Sequence, residues 1–288
     1  MNAPRPDSGS LPDAVVAALR CPVCSASFGL VGRVLRCVAG HAFDLAKQGY
    51  VNLLTAKIPS GTADTADMVA ARIAFLGAGH YAPLAEEIAR VAAVPGLIVD
   101  AGAGIGYYLA KTLDAAPEST GLALDVSAMA LRRAARAHAR LGAAVWNLWE
   151  PWPVADGVAD VVLNVFAPRN PAEFRRVLAP GGLLVVALPD GAHLAELRAA
   201  VGLLDVGEGK QDRLDASLAD QFELAERVPV RAALTLSPDE VRQAVGMGPN
   251  AFHLHRDGLA ERLAAVAEPL DVTASFVVSV YRPRRLNG

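Results

Sequence analysis

No stretch of this chain reaches the roughly 18 uninterrupted apolar residues that a membrane-crossing helix needs. The first twenty residues also lack an apolar run of signal-peptide length. Pro4, Pro6, Asp7, Ser8, Gly9 and Ser10 instead read as a disordered leader over residues 1–18. Together these absences predict a cytoplasmic protein. Cysteine is scarce: there are three, all between positions 21 and 37, and an odd number in such a chain argues against a disulfide framework. No internal repeat is present, which argues against a solenoid. Excess charge is missing too. The net charge of −3 rules out a surface that is basic throughout, but leaves room for a local basic face.

What the chain does have is apolar residues. They make up 53 % of 288 positions against 20 % charged, enough for one large α/β domain plus a small accessory module. Residues 19–56 hold all the cysteines, with the glycines and short β-type runs of a small metal ribbon. Residues 57–66 are small and polar and read as a linker. From Asp67 the pattern alternates. Helices are expected over 68–76, 81–93, 107–113, 128–139 and 173–178. Strands are expected over 97–100, 121–125, 143–147, 158–165, 182–188, 231–236 and 272–281. Strands separated by helices predict a mostly parallel sheet covered on both faces, the last two strands forming an antiparallel edge.

Asp100-Ala-Gly102-Ala-Gly104-Ile105-Gly106 follows an apolar strand and opens a helix. Glycines let a backbone turn sharply against a ligand. The dinucleotide fingerprint G-x-G-x-x-G does not fit, because the third glycine arrives one residue early and Tyr107 takes its place. Asp100 would also sit badly beside a pyrophosphate, whereas it suits the amino group of a methionine moiety. Asp125 ends the next strand, 19 residues after Gly106, where a carboxylate can accept both ribose hydroxyl protons. Asn147, at the end of the third strand, is a partial fit for an adenine contact. These features point to S-adenosylmethionine and a Rossmann-like class I methyltransferase. A nicotinamide or flavin ligand, or a glycine turn serving some other ligand, remains open.

Cys21-Pro-Val-Cys24, then twelve residues, then Cys37-Val-Ala-Gly-His41 supply four ligands in two short pairs. That pattern suits a closed tetrahedral zinc site of structural type. Residues 1–60 carry a net +3, and the helix after Asp125 carries Arg132, Arg133, Arg136 and Arg140. Phe28, Phe43 and Tyr50 are candidate stacking faces for unpaired bases. They are equally candidates for the ribbon's own core, so composition leaves nucleic acid open.

Three further segments sharpen the reading: Gly49-Tyr-Val-Asn-Leu-Leu54, Gly79-His-Tyr81-Ala-Pro-Leu84 and His193-Leu-Ala-Glu-Leu197. With the cysteine motifs and Met68-Val-Ala-Ala-Arg72, they resemble the RlmA-type ribosomal RNA guanine-N1 methyltransferases from about Cys21 to Tyr281. Asn164-Val-Phe-Ala-Pro-Arg-Asn170 and Met247-Gly-Pro249 are similar to the tylosin-resistance branch of that family. The resemblance implies methylation of a guanine in a hairpin loop of 23S ribosomal RNA, a link to macrolide resistance, a zinc module that helps bind RNA, and a homodimer. It implies Cys21, Cys24, Cys37 and His41 as zinc ligands and Gly104, Ile105 and Gly106 as the cofactor loop. It also places Tyr81 and His193 at the cofactor.

Guanine N1 carries a proton that must leave, yet no base announces itself in the sequence. The 164–170 loop is where related enzymes hold the target base. Asn164 or the 167–168 carbonyls would bond the base edge, Phe166 would stack, and Arg169 would pair with a phosphate or favour the deprotonated base. Two other classes remain open: a small-molecule methyltransferase whose ribbon only dimerises, and a non-catalytic S-adenosylmethionine-binding protein.

Overall fold

The computed structural model describes residues 10–58, 63–203, 209–253 and 258–284. It opens with a helix, α1 (Asp13–Ala18), which buries Val15, Val16 and Ala18. The leader expected over 1–18 is corrected where the structure describes it, since the chain is packed from Leu11 onward; its first nine residues lie outside the described part. The signal was the apolar run Val15-Val16-Ala17-Ala18-Leu19, hidden behind a Pro- and Ser-rich start.

A three-stranded antiparallel ribbon follows, β1 (Phe28–Val31), β2 (Val34–Cys37) and β3 (Ala42–Asp44). The next strand, β4 (Tyr50–Asn52), leaves the ribbon and pairs in parallel with a strand of the main sheet, Tyr50 opposite Ala143 and Asn52 opposite Val145. A boundary at residue 56 thus cuts behind a strand that belongs to the catalytic sheet. Phe28 and Tyr50 are buried, and Phe28 meets Phe43 edge-on at 5.7 Å. Phe28 and Tyr50 build the core, and the partly buried Phe43 packs against it.

Two helices, α2 (Ala66–Gly77) and α3 (Ala82–Ala92), precede the glycine-loop strand. Thr65 caps α2 by accepting the Met68 N–H at 3.2 Å. On α3, Leu84 and Ile88 are one turn apart and fully buried. The alternating part then runs β5 (Gly96–Ala101), α4 (Tyr107–Ala115), β6 (Ser119–Asp125), α5 (Ala128–Ala134), β7 (Leu141–Val145), β8 (Ala159–Val165), α6 (Pro171–Val177) and β9 (Leu178–Pro189). It closes with α7 (Ala195–Val201), α8 (Lys210–Leu218), β10 (Phe222–Leu236), α9 (Pro238–Gly246), α10 (Leu259–Ala264) and β11 (Leu270–Pro283), with a short 3-10 turn at Pro249–His253.

The eight-stranded sheet has the order β10-β11-β9-β8-β5-β6-β7-β4. All neighbours from β4 to β9 run parallel, while β11 pairs antiparallel with both β9 and β10. Central strands covered on both faces need apolar side chains on both, which is why Leu97-Ile98-Val99 reads as an unbroken run. Chain order reverses between β5 and β8, and such a switch point opens a crevice at the carboxyl ends of the strands.

One apolar cluster fills the α3 side of the sheet. The other joins Leu19, Phe28, Leu35 and Cys37 of the ribbon to Val99, Leu122, Val162 and Val186 of the sheet. The ribbon therefore shares its core with the domain behind it. Helix α5 stops at Ala134, short of the expected 139. Arg140 turns inward, donating to the Ala116 carbonyl at 2.7 Å and to the Leu113 and Ser119 carbonyls. It closes the end of α4 and is not part of a basic strip. Among the described residues no helix is long and apolar enough to cross a membrane.

Candidate functional site

The ribbon brings Cys21, Cys24, Cys37 and His41 together, their ligand atoms all within 4.8 Å of one another. Cys24 Sγ lies 3.7 Å from Cys37 Sγ, and His41 Nδ1 lies 3.5 Å from Cys21 Sγ and 3.4 Å from Cys37 Sγ. Zn–S bonds of about 2.3 Å and Zn–N bonds of about 2.1 Å in a tetrahedron put sulfurs about 3.8 Å apart and sulfur and nitrogen about 3.6 Å apart. The four residues fit a zinc ion with no open position, and Nδ1 is the imidazole nitrogen that faces the sulfurs.

At the switch point lies a cavity of about 910 Å³, at the upper end of the range for small-molecule sites. Its β5–β6 side is built by the glycine loop. Gly102, Gly104 and Gly106 all have φ between 54° and 89°. Gly102 has a second constraint, since a Cβ there would lie 2.3 Å from the Ala167 Cβ. The loop backbone is held by Asp125, whose carboxylate accepts the Gly104 N–H at 2.8 Å and the Ser127 N–H at 2.7 Å. Burial raises the Asp125 carboxyl, and those two N–H donors oppose the rise.

Asp100 is buried, with Oδ1 unpartnered. Burial, with Asp125 nearby, pushes its carboxyl up to about 8. An orphaned carboxylate in a pocket wall is a standing cost unless a cationic ligand meets it. The amino group of S-adenosylmethionine fits that need, and Asp125 has acceptor capacity left for ribose hydroxyls. Asn147 also lines the cavity. Its amide donates to Glu150 at 2.9 Å and its oxygen accepts the Trp149 N–H at 3.2 Å, so its side chain shapes the local turn.

Tyr81 and His193, far apart in sequence, meet at 3.1 Å between the hydroxyl and Nε2. The Ser275 N–H donates to His193 Nδ1 at 3.2 Å, so Nδ1 is the bare nitrogen and Nε2 carries the proton. Burial, reinforced by Arg198, lowers His193 to about 4 and keeps it neutral. Its Nε2–H donates to the Tyr81 oxygen, which leaves the Tyr81 proton to be donated into the cavity. Tyr108, also in the wall, has a buried hydroxyl with no partner.

The 164–170 loop forms the opposite wall. Asn164 is fully buried, and its amide donates to the Ala101 carbonyl at 3.2 Å and the Pro168 carbonyl at 2.9 Å. It ties this loop to the glycine loop and acts by positioning. Of the expected base contacts, the Pro168 carbonyl is thus already engaged, while the Asn164 oxygen remains unpartnered. Phe166 is a non-glycine residue at φ 54° and is 42 % exposed beside the cavity. Such strain persists where the fold over-determines it, typically at a site. Phe166 sits 5.6 Å from Phe276 and 6.1 Å from Tyr108, ring to ring. Arg169 also lines the cavity.

The sequence reading missed several wall residues. Arg72 pairs with Asp64 and donates to the Met247 carbonyl at 2.7 Å, tying together two lining segments of the cavity. Trp149 (66 % exposed) and Phe252 (43 % exposed) also line the cavity. Arg72 lay in a recognised motif without a role, whereas isolated aromatics in loops give no periodic signal.

A family model described as "RlmA, N-terminal" matches residues 19–58. A Streptomyces fradiae protein named 23S rRNA (guanine(748)-N(1))-methyltransferase is 47 % identical over 275 residues, covering 93 % of this chain and 98 % of that one. A Micromonospora griseorubida protein, provisionally named 23S rRNA (guanine-N(1)-)-methyltransferase, is 49 % identical over 92 % of this chain and 97 % of its own. Among solved structures, a Haloferax volcanii complex of the Trm112 methyltransferase activator and its provisionally assigned methyltransferase has a TM-score of 0.51 at 17 % identity, covering 77 % of this chain and 98 % of that one. That likeness bears on the fold alone. With two such relatives matched along more than nine-tenths of its length and an RlmA ribbon at its front, the chain belongs to the 23S ribosomal RNA (guanine-N1)-methyltransferase family.

Proposed function

We propose that this chain methylates N1 of a guanine in a hairpin loop of 23S ribosomal RNA, with S-adenosylmethionine as donor and zinc as a structural ion. One observation carries the reading: a single cavity presents an orphaned buried carboxylate, Asp100, on one side and a strained, half-exposed aromatic, Phe166, on the other. The first suits a cationic cofactor, the second an unstacked base. When bound, S-adenosylmethionine supplies an electrophilic methyl on a sulfonium. Asp100 holds its amino group, Asp125 its ribose, and the Tyr81 and Tyr108 hydroxyls offer donors to its carboxylate. Holding the base in line with the methyl is the larger part of the protein's task.

The guanine N1 proton has to leave as the N–C bond forms. Asp64, Asp100 and Asp125 are the carboxylates of the described lining, all on the cofactor side, and His193 Nδ1 is engaged by Ser275. A base stacked within a hairpin loop would be splayed out to enter the cavity. The target we assign is the guanine equivalent to the one in the Streptomyces fradiae enzyme's name, number 748, with a macrolide-resistance role and a homodimeric assembly.

Transfer of radiolabelled methyl to a 23S hairpin transcript, followed by digestion to nucleosides, tests the reading. The expected product is 1-methylguanosine. Methyl transfer to a metabolite pool but not to RNA would favour a small-molecule enzyme, and bound cofactor without turnover a non-catalytic protein.

A further inference from the structure

The charges lining the cavity are sorted across the switch point. Asp64, Asp100 and Asp125 lie at the β5–β6 side, while Arg169, Arg198, Lys210 and Arg213 come from the loop after β8 and from α7 and α8, beyond β9. Arg72, the cation on the acidic side, is already paired with Asp64. On the other side Arg198 donates to the Gly191 carbonyl at 2.7 Å and to the His193 carbonyl. Arg169 and Lys210 make no hydrogen bond or ion pair to the described residues. Lys210 is partly buried and lies within the fields of Arg213, Arg169 and Arg198. Burial and those three cations lower its ammonium. Lys210 and Arg213 also occupy the first turns of α8, the positive end of a helix, where cations are disfavoured. Among the described residues no carboxylate pairs with Arg169 or Lys210.

We propose that Arg169 and Lys210 form a clamp for a backbone phosphate of the RNA, at or next to the nucleotide whose base enters the cavity. The proposal rests on the RNA reading above and adds the group that the substrate side recognises. Arg169 is three residues from Phe166, so a base stacked on Phe166 would carry its own or a neighbouring phosphate towards Arg169 and Lys210. The clamp fixes the nucleotide by its backbone, which carries no sequence information, and leaves the choice of guanine to the base contacts. The cofactor carboxylate is the competing anion, and the experiment separates the two.

The measurement is affinity for a 23S hairpin transcript as a function of salt, with cofactor affinity by calorimetry in parallel, for the full-length wild type, Lys210→Met, Arg169→Gln and Lys210→Arg. Each neutral variant should lower the slope of log K against log salt by about 0.7, which is about a fivefold loss at 0.1 M salt. Cofactor affinity should stay unchanged, and Lys210→Arg should restore most of the slope. Unchanged RNA affinity and slope in both neutral variants would overturn the clamp. So would a loss of cofactor affinity with RNA binding intact, which would assign the cations to the cofactor carboxylate. Wild-type methyl transfer to the same transcript is the control for the reading itself. If it is absent, the RNA assignment fails and the clamp with it; if it is present with variant slopes unchanged, only the clamp fails.

Discussion

Asp100 sets a pH dependence that can be worked out in sign. Its folded carboxyl lies at about 8, while an unfolded aspartate titrates near 3.9. Between those values the empty folded protein keeps a proton that the unfolded chain has released. Stability therefore falls as pH rises through about 4 to 8 and levels off above. Asp100→Asn should flatten that fall, stabilising the empty protein at pH 8 by at least about 1 kcal/mol while weakening cofactor binding at least tenfold. Thermal melts at pH 5 and pH 8, with calorimetry for the cofactor, check both halves. Phe166 offers a second trade. Phe166→Gly relieves a left-handed backbone, so the unfolding midpoint should not drop, yet methyl transfer to RNA should fall at least tenfold. A parallel loss of midpoint and rate would return Phe166 to a packing role. Asp100 and Asp125 were legible because a carboxylate fixed by its distance from a glycine loop has few alternative meanings. Asn164 was legible as important, but its positioning role was hidden: only the fold shows its amide on the Ala101 and Pro168 carbonyls.

Among the elements, the zinc ribbon is the one whose role the fold enlarges. Cysteine and histidine spacing named its four ligands, and the structure brings those atoms together. Spacing gave no hint that β4 would leave the ribbon for the main sheet, because a three-residue strand has no period to read. The helix α1 was masked by its Pro- and Ser-rich approach, and the Arg run that begins in α5 looked like a basic face until Arg140 turned inward to the end of α4. A shared core has a consequence. Cys24→Ser should release zinc and weaken RNA binding while leaving cofactor affinity largely intact. It should also lower a single unfolding transition of the whole chain, since Leu35 and Cys37 pack in the same cluster as Val99 and Val162. Metal analysis, calorimetry and scanning calorimetry read these outcomes. A separate low-temperature transition for the ribbon would contradict the shared core.

The whole molecule is organised by the reversal between β5 and β8, which places acidic lining residues on one side of a cavity and basic ones on the other. Alternation of strands and helices was enough to predict the parallel sheet, and the late apolar strands its antiparallel end. The sorting of charge across the cavity was not readable, because Lys210 and Arg169 are 41 positions apart and meet only through the fold. The central claim is that this cavity delivers a methyl group to guanine N1 of 23S ribosomal RNA, and primer extension tests it most directly. Ribosomal RNA from a strain lacking this modification is incubated with the protein and S-adenosylmethionine, and reverse transcription is run through the hairpin. A methyl on N1 blocks the pairing edge. The account predicts one new stop at a hairpin guanine with the wild type and none with Asp125→Ala. Full read-through with an active, cofactor-bound wild type, or a stop that persists in Asp125→Ala, would contradict it.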